Sequence, residues 1–140
     1  MPSHRIQLKG PWDFDWRACP DEPSEAIAKS GTVTMPQEWR TLFGEASGTA
    51  QFRRKFHRPT NLEPHERIML VLTEVRGSGG VRLNDVPVGH FVGSGGLVEF
   101  EISTLMKPVN EVAVDIKYDP VTEPGLSGGL FGAVALEIRS

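Results

Sequence analysis

Short apolar stretches recur roughly every ten residues along this chain, punctuated by glycine and proline, and within several of them the apolar residues occupy alternate positions. Val112, Val114, Ile116 and Tyr118 alternate with Glu111, Ala113, Asp115 and Lys117. A period of two turns one set toward a core and the other toward water, because side chains of a strand point to opposite faces. The same alternation sets Val98, Phe100 and Ile102 against Glu99 and Glu101, and Val134, Leu136 and Ile138 against Ala135, Glu137 and Arg139. It also turns Phe52, Arg54 and Phe56 away from Arg53 and Lys55. Each pattern predicts a half-buried strand of an antiparallel sheet. Glu66 and Arg67 lead into a strand over 68–75 that opens apolar on both faces, the candidate for the most buried strand of a two-layer fold.

The connections are equally suggestive. Val81-Arg82-Leu83 and Val86-Pro87-Val88 flank Asn84-Asp85, two residue types that tolerate positive φ, and so predict a tight hairpin. Gly93-Ser94-Gly95-Gly96 reads as a flexible loop, and Gly77-Ser78-Gly79-Gly80 as turn glycines. Only short helices are expected: one turn over 103–106 with Ser103 as N-cap and Pro108 beyond it, and a short piece within 21–29 with Pro23 near its start. With 15 Gly and 11 Pro and no repeat or linker, residues 1–140 read as a single all-β domain, a sandwich or barrel.

Composition narrows the function classes. A formal charge of −3 supplies no net basic field to neutralise phosphates or an anionic membrane surface, so neither nucleic acid nor membrane is an expected partner. The longest purely apolar run, residues 68–72, is far below the roughly 20 residues of a bilayer span. The N-terminal residues lack the pattern of a secretory signal, which makes a cytoplasmic address the expectation. Cys19 is the one cysteine, so no disulfide within the chain and no cysteine-based metal cluster is expected. His4, His57, His65 and His90 are scattered without metal-ligand spacing, no cofactor is indicated, and the glycine runs lack the lysine and following helix of a phosphate loop.

Several segments carry a further pattern, in order. Gly10-Pro11-Trp12-Asp13-Phe14 reads Gly-x-Trp-x-Phe, and Val33-Thr34-Met35-Pro36-Gln37-Glu38-Trp39 reads Val-x-Val-Pro-x-x-Trp with Met35 at the second Val. Residues 48–56 followed by Pro59 read Gly-x-x-x-Tyr-Arg-Arg-x-Phe-x-x-Pro, with Phe52 at the Tyr. Residues 81–89 read Val-x-Val-Asn-Gly-x-x-Val-Gly, with Leu83 at the second Val and Asp85 where Gly is usual, and His90 follows where the motif continues x-His. Phe100-Glu101-Ile102-Ser103, Asn110-Glu111-Val112 and a closing Gly129 to Leu136 stretch complete the series. In this order the motifs resemble the N-terminal sugar-binding domain of glycoside hydrolase family two, the family of β-galactosidases, β-glucuronidases and β-mannosidases. The resemblance implies a galactose-binding-like jelly roll, two antiparallel sheets packed face to face.

The resemblance also implies that catalysis resides elsewhere. In that family two Glu residues on a separate (β/α)₈ barrel perform hydrolysis, and no such barrel fits in this chain. The expected role is therefore a non-catalytic carbohydrate-binding-type module, with a structural or interaction module that docks on a partner chain or its own copy as the alternative. Sugar binding calls for an aromatic face and convergent polar groups. Trp12, Trp16, Trp39 and Tyr118 are the available rings; Trp12 suits the core, while Trp39 is open between core and rim. The sugar-binding candidates are Trp39, Glu45, Arg53, His90 and Glu123. Two departures thin the site: the loop after Trp39 offers only Glu45 where the family uses a polar residue, often Asn or Asp, and Glu123, the nearest acid before the closing motif, is followed by Pro124-Gly125 instead of an aromatic; Gly132 also stands where the last motif carries Arg.

Overall fold

The computed structural model describes residues 4–19 and 28–140. Two antiparallel sheets are built from the predicted strands. The smaller has the order β1 (His4–Gln7), β11 (Val134–Arg139), β5 (Arg67–Leu72), β8 (Val98–Glu101). The larger runs β10 (Gly129–Leu130), β6 (Val75–Leu83), β9 (Val109–Tyr118), β4 (Gly48–His57), β2 (Trp12–Ala18), β3 (Ala28–Val33), with β7 (Val86–Ser94) paired to β6.

The expected alternation decides what lies between the sheets. Phe14, Phe52, Val114 and Val81 stand in register across β2, β4, β9 and β6, and all are buried. Val112, Val114 and Ile116 have no exposed surface, whereas Lys117 is exposed, as the period-two reading of β9 requires. From the smaller sheet Ile68, Leu70, Leu72, Val134 and Leu136 complete the same cluster. At roughly 1.5–3 kcal/mol for each large apolar side chain removed from water, this layer is the main source of stability.

Several expectations need correction. The strand over 68–75 is two strands: β5 ends at Leu72, Thr73 and Glu74 turn the chain, and β6 begins at Val75 in the other sheet. Gly132, in the link between β10 and β11, packs against that turn, its N–H donating to the Glu74 carbonyl at 3.1 Å, and an added Cβ would lie 2.5 Å from the Glu74 Cβ. An arginine there has no room. β5 is also not the most buried strand, since five of the six residues of β11 are buried against four of six in β5. The run 77–80 is not a turn but lies inside β6, where a Cβ at Gly79 would fall 1.7 Å from the Asp115 carbonyl oxygen. Close approach of β9, not chain reversal, is what these glycines serve. Gly93 and Ser94 likewise belong to β7, leaving Gly95 and Gly96 as the loop.

The hairpin stands as read, with Asn84 at φ 52° and Asp85 at φ 66°. The turn at Ser103–Leu105 is a 3-10 helix whose N-cap is Ile102 and has no side-chain cap. Ser103 instead accepts a hydrogen bond from the backbone N–H of Ile68 at 2.9 Å, tying the turn to the start of β5. The helical piece expected over 21–29 lies outside the described residues, except that Ala28 and Lys29 belong to β3. A helix not anticipated, α1 (Trp39–Phe43), packs Trp39 and Phe43 inward one turn apart. Glu38 caps it by accepting from the Arg40 N–H at 2.7 Å, and Gly44 at φ 71° ends it. No helix among the described residues is long and apolar enough to cross a membrane.

Candidate functional site

The sequence-derived candidates fall into two separate groups. Trp39, Glu45 and Glu123 gather at the end of the sandwich where α1 meets the loop 119–128. Arg53 and His90 lie on the solvent face of the larger sheet.

At the loop end, Trp39 is 1% exposed and belongs to the core rather than a rim. Its ring stands edge-on to Tyr118 at 5.6 Å and to Phe43 at 4.8 Å. Two arginines that sequence reasoning missed hold this end together. Arg40, on α1, donates through Nη2 to the carbonyls of Pro120 at 2.8 Å and Glu123 at 3.3 Å, and through Nη1 to that of Leu126. Its Nε donates to Glu45 Oε1 at 3.0 Å. Arg76, on β6, donates to the carbonyls of Ser127 at 2.6 Å and Ser94 at 2.9 Å, lies 3.2 Å from the Glu123 carboxylate, and covers the Phe131 ring at 5.6 Å. Glu38 Oε1 closes the arrangement by accepting from the Gly128 N–H at 3.0 Å.

Glu45 and Glu123 thus each pair with an arginine that holds the loop, with the Glu45 side chain 68% exposed and that of Glu123 40%. Beneath them the Tyr118 hydroxyl is buried without a hydrogen-bond partner among the described residues, and burial pushes its pKa up. The only sequence signal for Arg40 and Arg76 was their type: a planar fork with five donors suits several carbonyls at once.

On the sheet face, the outward residues of β2, β4, β9 and β6 form a polar ladder. Arg53 Nη1 donates to Asp15 Oδ2 at 2.7 Å and to Gln51 Oε1 at 2.6 Å. The Asp15 carboxylate holds the Arg53 pKa above the usual arginine value. Gln51 Nε2 donates to Asp115 Oδ1 at 2.9 Å, and Arg82 Nη2 lies 3.3 Å from Asp115 Oδ2. His90 is exposed on β7 opposite Gly80, itself opposite Asp115, and its Nδ1 would lie 3.1 Å from a Cβ at Gly80. Gly80 therefore leaves an indentation over which the imidazole leans.

Two open grooves flank the ladder. One, of about 730 Å³, is lined by Asp15, Arg17, Lys29, Ser30, Thr49 and Gln51, among others. The second, of about 350 Å³, is lined by Pro11, Asp13, Arg53, Arg54, Lys55 and Glu111. No Phe, Trp or Tyr side chain among the described residues is exposed. The face offers hydrogen-bond donors and acceptors but no ring for stacking. Among the described residues no cluster of His, Cys, Asp or Glu is arranged to hold a metal ion.

No protein-family model and no curated protein sequence matches the chain. Solved structures do. The chain is similar to part of an FMN-binding β-glucuronidase of Faecalibacterium prausnitzii, with a TM-score of 0.75 and 20% identity over 97% of this chain and 22% of that one. A putative β-galactosidase of Bacteroides fragilis matches over 100% of this chain and 24% of its own, with a TM-score of 0.75 and 22% identity. A β-glucuronidase of Ruminococcus gnavus matches at 0.75 and 19% identity over 97% of this chain and 28% of its own. The chain therefore has the β-sandwich fold found within these glycosidases and spans about a quarter of their length, which agrees with the fold implied by the motif order.

Proposed function

We propose that this chain is a non-catalytic, carbohydrate-binding-type module. The observation that supports the reading is the likeness along nearly the whole chain to about a quarter of each glycosidase. A fold alone does not establish function, so the reading rests equally on chemistry available at the surface. The ladder of Asp15, Gln51, Arg53, Asp115 and Arg82, with His90 beside it, supplies convergent donors and acceptors for sugar hydroxyls. Without an exposed ring, affinity comes from hydrogen bonds that compete with water and is expected in the millimolar range. Calorimetry and a glycan array with galactosides, glucuronides and mannosides test this: heat or a spot with at least one sugar is expected, and none with any of them overturns it. Chromogenic glycosides are expected to show no turnover.

A second reading, a module that docks on a partner chain or on its own copy, is favoured by one observation. Val92, Val121 and Leu126 are 87%, 67% and 47% exposed around the loop end. A light-scattering mass above that of one chain, lowered by Val92→Ser, is the result this reading expects, and a monomer at all concentrations counts against it.

A further inference from the structure

Of the edges of the two sheets, one carries none of the devices that keep a strand from pairing with another chain. β1 and β8, the edges of the smaller sheet, have 4 residues each and bear Arg5, Glu99 and Glu101. β7 holds Pro87, shifts register against β6 between Val81 and Arg82, and packs on β8, where a Cβ at Gly89 would lie 2.7 Å from the Phe100 ring. β3, at the opposite edge of the larger sheet, pairs with β2 alone, over 6 residues with no bulge and no proline. Its residues from Ala28 to Thr32 are exposed, and its backbone bonds to no segment other than β2 among the described residues. A row of N–H and C=O groups therefore faces outward, ready to pair with an extended chain.

The side chains leave this edge open. Lys29, the one charge on β3, pairs across the strands with the buried Trp16 and so turns to the inner side, where its ammonium donates to the Leu42 carbonyl at 2.8 Å. The outer face is Ala28, Ser30 and Thr32, small and uncharged. Ala28 stands opposite Arg17, and Ser30 opposite Asp15. Asp15 is engaged by Arg53, whereas Arg17 is exposed and in no hydrogen bond or ion pair among the described residues. The groove of about 730 Å³ lies over these same positions. A strand added beside β3 would lie about 4.8 Å further out, which sets its residue next to Ala28 roughly 10 Å from Arg17. Arginine and glutamate side chains together span that distance across the alanine methyl.

We propose that β3 takes up an extended, acidic segment of a partner protein as a further strand of the larger sheet. The backbone of β3 supplies the pairing, and Arg17 supplies the selection: an acidic side chain next to Ala28 meets the unpaired guanidinium. Next to Ser30 the segment carries a neutral side chain, because Asp15 repels a second carboxylate there. A second copy of this chain is the poorer occupant, since its own β3 has no carboxylate to offer Arg17. The inference goes beyond the sugar-binding reading and does not depend on it.

The probe is a short end-blocked peptide of alternating Thr and Val with one central Glu, alongside its Gln and Lys counterparts. Each is titrated into the ¹⁵N-labelled chain and into Arg17→Gln, with amide shifts and amide exchange as readouts. Expected with the Glu peptide are saturable shifts and slowed exchange at residues 28–33. The Gln peptide should bind about two- to fivefold more weakly, the scale of one partly exposed ion pair, and the Lys peptide more weakly still. Arg17→Gln, at an exposed position without a partner, should keep the parent's urea midpoint and bind the Glu and Gln peptides alike. Equal binding of those two by the parent, or a preference that survives Arg17→Gln, overturns the proposal. Shifts clustered on β1, β7 or β8 place the pairing elsewhere and overturn it too. Shifts at 28–33 that grow with protein concentration alone, with a doubled light-scattering mass, assign the edge to a second copy instead. No saturation by any peptide at millimolar concentration overturns strand addition altogether. None of these outcomes bears on the sugar-binding reading.

Discussion

Asn84 Nδ2 donates to Asn110 Oδ1 at 2.9 Å, and Asn84 Oδ1 accepts from the Glu111 N–H at 2.9 Å, so that the β6–β7 hairpin turn is fastened to the start of β9. Asn110, 1% exposed, also accepts from the Lys107 N–H at 2.8 Å and donates to the Lys107 carbonyl at 2.7 Å. Asn110→Leu removes partners from several buried polar groups at once. It is expected to lower stability by about 3 kcal/mol in urea melts, since each unsatisfied buried group costs roughly 1–3 kcal/mol. An unchanged midpoint would mean that these bonds do not hold the hairpin.

Arg40 holds the loop 119–128 against α1 through three carbonyls. Arg40→Ala is expected to speed amide exchange across that loop and to cost about 2 kcal/mol, the scale of a few partly exposed charge-assisted hydrogen bonds. Arg40→Lys should restore little, because an ammonium cannot reproduce the planar fork. Full rescue by lysine would contradict the geometry.

Acid should find a weak point on the outer face of the smaller sheet. Glu137 accepts from Arg5 Nη2 at 2.7 Å and Arg139 Nε at 2.7 Å, and Glu99 accepts from Arg139 Nη1 at 3.1 Å. The bonds from Arg5 and Arg139 hold the Glu137 pKa below its ordinary value, and those from Arg139 do the same for Glu99. A carboxylate with a depressed folded pKa contributes stability that is fully present above its unfolded value of about 4.3 and is lost as pH falls through the folded value. The urea midpoint is therefore expected to fall below about pH 4, and Glu137→Gln to flatten that fall. Identical acid slopes for the two proteins would remove this network from the account.

The register of β9 yields a paired test. Val114 has no exposed surface, whereas Lys117 is exposed. Val114→Asp buries an unpaired carboxylate and should unfold a domain whose whole stability is on the order of 5–15 kcal/mol. Lys117→Asp should stay within about 0.5 kcal/mol of the parent. Equal midpoints would mean that the strand faces are misassigned.

The strands were legible because alternation is a local signal: Val112, Val114 and Ile116 declare their face without reference to any other segment. Asn84-Asp85 declared its turn for the same reason. The glycines of 77–80 misled because their cause is remote, the Asp115 carbonyl of a neighbouring strand. α1 was missed because its length of 5 residues is too short for periodicity to speak, and Glu38 is not among the favoured cap types. The candidate site was least legible. Whether Glu45 and Glu123 are free or engaged depends on Arg40 and Arg76, and Trp39 could be assigned to the core only once Tyr118 and Phe43 stood around it.

The central claim is that the polar face of the larger sheet binds sugar without transforming it. Titration of the labelled chain with a panel of neutral and acidic methyl glycosides, followed by amide shifts and by product analysis of the same samples, tests it most directly. The account predicts saturable millimolar shifts clustered on β2, β4, β9 and β6 with at least one sugar, and every glycoside recovered intact. Unshifted spectra with all of them, or hydrolysed product, would contradict it.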